Sequence, residues 1–237
     1  MIPKPDINVL PAHSTNTWSR NGQQIEYIVL HYVGAVSSAK ANAVYLNRDG
    51  NLGWSAHFFT DEHSIWQSVP LDESAGHCGV DYSNGRAPFW GKCRNKNSIG
   101  IEMCCKKDAN GAWFIEPETV TRTVALVRWL MEYLNIPAAN VIRHYDVCWK
   151  MCPEPWVINP NQWYDFKKRL AEPEQKEDEE DMQRFKTVAE LPAWAREDIQ
   201  KLIDKGYLEG KGGELGLDLT EDMARTLIVC GRMQGVL

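Results

Sequence analysis

The sequence lacks any apolar run close to the roughly 18 residues that a membrane-spanning helix needs. Its first six residues, MIPKPD, contain no apolar signal core, so we expect no export by a leader of its own. A basic stripe is also missing, and the composition therefore predicts neither a nucleic-acid nor a membrane partner. What remains, 237 residues of which 43% are hydrophobic, is typical of a soluble globular protein with one core and room for a small second module.

Paired metal-binding cysteines are absent too, because no CxxC spacing occurs among the seven cysteines. An odd number of cysteines, with Cys104 and Cys105 adjacent, does not fit a disulfide framework. We therefore expect mostly free thiols in a chain made in a reducing cytoplasm. The sequence also contains no HExxH motif, which argues against a peptidase with a helix-borne zinc site.

The net charge of −6 is unevenly distributed along the chain. Residues 172–237 carry 9 Lys and Arg against 16 Asp and Glu, whereas residues 1–171 are almost neutral. The run EPEQKEDEED has almost no apolar residue and is typical of a solvated linker. These patterns predict a first domain over 1–171, an acidic linker over 172–182 and a small helical module over 183–237.

Strand and helix patterns alternate through the first domain. Apolar, β-branched runs predict strands, turn residues bound them, and longer periodic segments predict helices. One strand carries His31 at its C-terminal end, another carries Glu102, and a Gly-, Ser- and Asn-rich stretch over 72–96 predicts a long functional loop. The predicted strands are 25–33, 55–60, 64–69, 97–104 and 141–142, and the predicted helices are 37–48, 116–134, 159–170, 192–205 and one beginning at 220.

A candidate metal site centres on His144 and Cys152, eight positions apart and followed by Pro153. A neutral imidazole and a thiolate are ligands that zinc prefers. Pro153 favours a turning backbone, so we expect one loop that doubles back to present both side chains to one point. A catalytic zinc site needs three protein ligands and leaves the fourth position to water.

Five other histidines could supply the third ligand. His31 is the best candidate because a buried strand end holds an imidazole rigidly, although a lone histidine there is also consistent with a packed core residue. His57 and His77 are candidates for substrate contact or for a structural role, and the irregular positions of the remaining two favour a structural role. The five histidines are His13, His31, His57, His63 and His77.

Four separated motifs, in order, resemble one family. They are His31 ending an apolar strand, Ser55-Ala56-His57-Phe58, Asn97-Ser98-Ile99-Gly100-Ile101-Glu102, and His144-x-Asp146-Val147-x-x-Lys150-x-Cys152-Pro153. Over residues 20–170 the chain is similar to the zinc-dependent N-acetylmuramoyl-L-alanine amidases of the type-2 family, which are relatives of peptidoglycan recognition proteins and common among phage endolysins. The resemblance implies an α/β fold with a mixed central sheet flanked by helices. It also implies cleavage of the amide between N-acetylmuramic acid and L-alanine of the stem peptide.

Carried over by position, the resemblance implies that His31, His144 and Cys152 bind Zn²⁺. Glu102 then corresponds to the general base, and Lys150 to the group beside the scissile carbonyl. Ala56 stands where some phage relatives have a catalytic tyrosine, which places the proton transfer on Glu102.

Several alternatives stay open on the sequence alone. Glu102 could be a strand-edge carboxylate paired with a lysine, and Lys150 a solvated loop residue. The domain could be a non-catalytic peptidoglycan recognition module or a zinc hydrolase of another amide. For the C-terminal module, binding to a Gram-positive wall competes with homodimerisation, because its apolar faces exceed so small a core. We expect an enzyme made in the bacterial cytoplasm that acts on the wall after release.

Overall fold

Two apolar runs, residues 27–36 and 98–107, form adjacent parallel strands in the computed structural model. The structure describes residues 2–79, 81–171, 184–209 and 216–237, and the predicted acidic linker over 172–182 lies outside them. The chain divides into two units, Met1–Glu172 and Pro173–Leu237, which we describe separately.

The first unit is built on a mixed sheet, as the resemblance implied. Its strands are β1 (Asn8–Val9), β2 (Trp18–Ser19), β3 (Tyr27–Val36), β4 (Phe58–Thr60), β5 (Ile65–Gln67), β6 (Glu73–Ser74), β7 (Ser98–Lys107), β8 (Trp113–Phe114) and β9 (Val141–Arg143). Seven strands form one sheet in the order β1-β5-β4-β7-β3-β9, with β8 paired to β7, while β2 and β6 form a separate pair. The β4–β5 pair is antiparallel, as the predicted hairpin requires, and β3 is parallel to both β7 and β9.

Helices cover both faces of this sheet. On one face, α1 packs against Phe59. On the other, α2 and α5 pack against Leu30, Phe58 and Ile101. None of the described helices is both long and apolar enough to cross a membrane. The helices of the first unit are α1 (Ala39–Leu46), α2 (Pro117–Leu134), α3 (His144–Cys148), α4 (Glu154–Ile158) and α5 (Pro160–Ala171).

Strand β3 continues past the predicted end at residue 33, so His31 lies in the middle of the strand and not at its C-terminal end. Gly34 has φ +68°, and the register with β7 shifts between Tyr32 and Val36. A bulge with a left-handed glycine lets a strand bend and continue. The sequence pattern predicted instead that the strand ends before Gly34. His31 is nevertheless the last fully buried position of the strand.

The segment from His144 to Cys152 is also different from the expected loop, because His144 begins the short helix α3. The helix ends at Cys148, and the next residue, Trp149, caps it with a left-handed backbone of φ 61°. The backbone then returns, and the Tyr145 amide donates to the Cys152 carbonyl at 2.8 Å. The predicted doubling back is therefore present, with a helix on its first arm.

The second unit contains the helices α6 (Ala193–Asp204) and α7 (Glu221–Met233), close to the predicted positions. The Thr220 side chain caps α7 by accepting from the Met223 amide at 3.2 Å. An antiparallel bridge joins Phe185 to Leu219. These elements enclose a small apolar core of Phe185, Leu191, Ala195, Ile199, Leu202, Leu219, Ala224 and Ile228.

We expect Leu126→Ala to lower the free energy of unfolding by about 2–5 kcal/mol, because this α2 side chain is fully buried in the main core. Ala125→Ser, on the exposed side of the same helix, should change it by about 0.5 kcal/mol or less. Denaturant unfolding followed by tryptophan fluorescence measures both, since nine of the ten tryptophans precede residue 172. Equal small effects would contradict the packing of α2 on the sheet.

Candidate metal centre

Strand pairing brings two imidazoles together at one edge of the sheet. Leu30 of β3 is paired in parallel with Arg143 of β9, so the next residues, His31 and His144, become neighbours. Their ring centroids are 4.6 Å apart. The returning backbone adds Cys152, whose Sγ lies 3.7 Å from His31 Nδ1. The three ligand atoms all lie within 4.8 Å of one another, and all three residues are buried.

The chemistry of these side chains fits a metal ion. Both ring nitrogens of His144 are buried without a hydrogen-bond partner in the described part of the chain, and unsatisfied buried polar atoms are rare unless an ion or water is bound. Burial, with the charge of Lys150, lowers the pKa of His144 to about 3, so the ring is neutral at neutral pH and one of its nitrogens has a free lone pair. Burial also holds the pKa of His31 well below its usual value.

The thiol of Cys152 differs from the imidazoles because burial, followed by the Glu102 carboxylate, raises its pKa. A metal cation deprotonates a coordinating thiol outright, so binding at this site would release one proton. Two neutral imidazoles and one thiolate form a set of donors that suits zinc and leaves one coordination position open.

Glu102 reaches the same site from the neighbouring strand. It is paired in register with His31, and paired residues of parallel strands point to the same face of a sheet. Its Oε2 is buried and makes no hydrogen bond within the described residues. Burial raises its pKa to about 8, and the charge of Lys150 opposes the increase. A carboxyl group in this state can exchange a proton close to neutral pH.

These residues line one cavity of about 320 Å³. Lys150 lies at its wall with an exposed side chain, and its charge lowers the pKa of both His31 and His144. The cavity therefore combines a metal-type cluster, a carboxyl group of raised pKa and a cation. Its lining consists of His31, Tyr32, Val33, Gly34, Trp54, Phe59, Gly76, His77, Glu102, His144, Lys150, Met151 and Cys152.

His57, predicted as a possible substrate contact, is fully buried and does not belong to this lining. Its Nδ1 accepts from the Gly100 amide at 3.0 Å, and its Nε2 lies 2.7 Å from Arg20 Nη2. Burial, with the Arg20 charge, lowers the pKa of His57 to about 3. The geometry thus favours the structural role for His57, and substrate contact stays a prediction without support from the cavity.

His77 does line the cavity, but both of its ring nitrogens contact protein groups. Its Nδ1 lies 3.0 Å from His31 Nε2, and its Nε2 lies 3.1 Å from Ser98 Oγ. Substrate contact by His77 also stays a prediction. His13 and His63 lie outside the site: His13 is near Asp49, and His63 is exposed.

Three residues around the site were given no role on the basis of the sequence. Arg20 is buried and donates to the carbonyl oxygens of Leu71, Lys96 and Ser98, which ties the N-terminal segment to the start of β7. Ser98 and Gly100 contact His77 from β7. Of the three, only Gly100 could have been recognised from the sequence, because an isolated glycine inside a predicted strand indicates that another group approaches the backbone closely.

The fold and the cluster together define an α/β protein with a three-residue centre of the kind that holds a catalytic metal. The family description "N-acetylmuramoyl-L-alanine amidase" matches residues 21–155, which is more than half of the chain. The chain belongs to this family. The type-2 amidase resemblance seen in the motifs is thereby confirmed, together with its fold.

Several Bacillus proteins are similar to this chain. The N-acetylmuramoyl-L-alanine amidase BlyA of Bacillus subtilis (strain 168) is 32% identical over 166 residues, which cover 65% of this chain and 44% of BlyA. A probable N-acetylmuramoyl-L-alanine amidase of Bacillus licheniformis is 35% identical over 116 residues, which cover 49% of this chain and 31% of that protein. The chain thus spans less than half the length of these curated relatives.

Solved structures agree with the fold of the first unit. The catalytic domain of XlyA matches with a TM-score of 0.54 and 29% identity, covering 70% of this chain and 99% of that domain. The structure of PlyL matches with a TM-score of 0.56 and 23% identity, covering 70% of this chain and 97% of that one. The second match supports the fold alone.

Proposed function

We propose that this chain is a zinc-dependent N-acetylmuramoyl-L-alanine amidase, which hydrolyses the amide between the lactyl group of N-acetylmuramic acid and L-alanine in peptidoglycan. The observation that carries the proposal is the cluster of His31, His144 and Cys152 ligand atoms within 4.8 Å of one another. It lies in a cavity shared with Glu102 and Lys150. Membership of the amidase family supplies the substrate.

His31, His144 and Cys152 would hold the metal. The chemistry that zinc supplies in such a site is a water molecule whose pKa falls from 15.7 to about 7, and a polarised carbonyl. The two imidazoles need lose no proton to bind, since burial keeps them neutral. All three residues line the cavity, where a substrate carbonyl can enter.

Glu102 is the proposed general base. Its raised pKa of about 8 gives it the basicity to take a proton from the attacking water and to return it to the departing amine. The absence of a hydrogen bond at Oε2 among the described residues supports this role, because the oxygen is not committed to a structural partner there. The alternative of a lysine-paired strand-edge carboxylate has no such support.

Lys150 is the proposed electrostatic stabiliser of the tetrahedral oxyanion. Its exposed side chain belongs to the cavity wall two residues before Cys152. A fixed positive charge beside developing negative charge lowers the barrier of acyl-transfer reactions. Ala56 cannot share the proton transfer, since it is a buried apolar residue packed near α1.

The reaction can be tested directly on purified walls of a Gram-positive bacterium, a choice made because the similar proteins come from Bacillus species. Mass spectrometry of the digest should find stem peptides with a free L-alanine amino group and glycan strands with intact lactyl groups. New termini inside the stem peptide would point instead to a zinc hydrolase of another amide. No soluble product despite wall binding would support the non-catalytic recognition module.

Two variants separate metal binding from proton transfer. We expect Glu102→Gln to keep zinc but to lose turnover by about 100-fold or more, because the amide cannot accept the water proton. Cys152→Ser should lose zinc and turnover together, and His63→Ala, an exposed histidine away from the site, should change neither. Zinc content and amide hydrolysis on the same preparations measure both quantities. Full turnover in Glu102→Gln would remove Glu102 from its proposed role.

The second unit is the proposed wall-binding module of this enzyme. The module exposes several aromatic and apolar side chains, which supports a binding role: Trp194, Tyr207, Met223, Val229 and Met233. Homodimerisation through this module stays the alternative. Wall binding would hold the amidase domain close to its insoluble substrate.

Truncation after Leu170 tests this module. We expect the truncated chain to sediment less with purified walls, because it has lost the second unit, while its hydrolysis of a small soluble muramoyl peptide stays unchanged. Unchanged sedimentation would contradict wall binding. Light scattering on the full and truncated chains tests dimerisation separately. If the module holds a dimer together, the full chain has the mass of two copies and the truncated chain has the mass of one. A full chain with the mass of one copy would contradict dimerisation.

A further inference from the structure

A chain of hydrogen bonds leads away from the metal-type cluster. Ser98 Oγ donates its only hydrogen to the Arg94 carbonyl at 2.7 Å. Toward His77 Nε2, 3.1 Å away, it can therefore only accept. His77 must carry its proton on Nε2, and its Nδ1 is left as an acceptor.

The tautomer of His31 follows from that of His77. Because His77 Nδ1 is an acceptor, His31 Nε2 at 3.0 Å must be the donor. A neutral imidazole has one proton, so His31 Nδ1 is unprotonated, and this is the atom that lies 3.7 Å from Cys152 Sγ. The sulfur of Cys78, a weak donor, lies 3.4 Å from His77 Nδ1 and agrees with the assignment.

A glycine makes room for this arrangement. A Cβ atom built at Gly100 would lie 2.5 Å from His77 Cγ and 2.8 Å from His77 Nδ1, far inside contact distance. Position 100 is in β7, paired with Val29 of β3 two residues before His31. Its backbone is extended and does not require glycine by conformation. Space for the His77 ring is therefore the reason for a glycine here.

We propose that His77 is a positioning residue, which holds His31 in the tautomer and orientation that present Nδ1 to the metal. Ser98 sets the tautomer of His77, and Gly100 provides its place. The inference rests on the proposed function, because it assigns His31 as a ligand. Histidine ligands generally depend on such a partner on their second nitrogen, and loss of the partner costs about 10- to 100-fold in metal affinity.

Two variants of similar shape test the hydrogen bond. His77→Leu removes the acceptor, whereas His77→Asn keeps an oxygen on the atom equivalent to Nδ1. Competition with a chelator on the full chain should show zinc affinity weakened by about 10- to 100-fold in His77→Leu and largely restored in His77→Asn. Equal affinities in wild type and a folded His77→Leu would overturn the proposal.

Gly100→Ala and Gly79→Ala form a second matched pair. The first should weaken zinc binding by displacing His77, and the second should not, because a Cβ at Gly79 meets nothing within 4 Å. Retained affinity in Gly100→Ala would contradict the role of the glycine.

The tautomer can be read without any variant. In the metal-free wild-type chain, ¹⁵N spectra should give a protonated-type signal for His31 Nε2 and an unprotonated-type signal for Nδ1. The reverse pattern would overturn the proposal even if every variant failed to fold. A wild-type chain that binds no zinc would instead refute the proposed function, and the ¹⁵N result would still decide the tautomer.

Discussion

The parallel pairing of β3 with β7 on one side and β9 on the other is the constraint on which the site depends. It makes His31 a register neighbour of Glu102 and brings His144 beside it. A shift of one residue in either pairing would turn one of these side chains to the opposite face. The large apolar core below the sheet opposes such a shift, because Leu30, Phe58 and Ile101 would lose their packing against α2 and α5.

Burial then gives the site its electrostatic character. The same low-polarity surroundings that lower the pKa of His144 to about 3 raise that of Glu102 to about 8. Neutral imidazoles are ready to bind a cation, and a protonatable carboxyl group is ready to exchange a proton. Lys150 opposes the shift of Glu102 and reinforces those of the histidines, so one exposed cation influences both halves of the chemistry.

Much of this arrangement could be predicted from the sequence. Helix α2 was predicted to within one residue of its observed bounds, because Pro117 and a long apolar periodicity mark it. The cluster of His31, His144 and Cys152 followed from ligand chemistry and motif resemblance. The continuation of β3 beyond Gly34 and the short helix α3 were missed, because bulges and single-turn helices leave little periodicity to detect.

The partners of the histidines could not be predicted. His77 and His31 are 46 residues apart, and only the folded sheet brings their rings together. His57 and His77 were equal candidates for substrate contact on the sequence. In the structure, His57 is buried next to Arg20, whereas His77 lines the cavity. The local sequence around each histidine does not reveal these different surroundings, because they depend on the order of the strands in the sheet.

X-ray absorption at the zinc edge of the zinc-loaded chain tests the central claim most directly. We expect two nitrogen neighbours from imidazoles, one sulfur at about 2.3 Å and one further light atom. A first shell without sulfur, or with more than one sulfur, would contradict a centre formed by His31, His144 and Cys152.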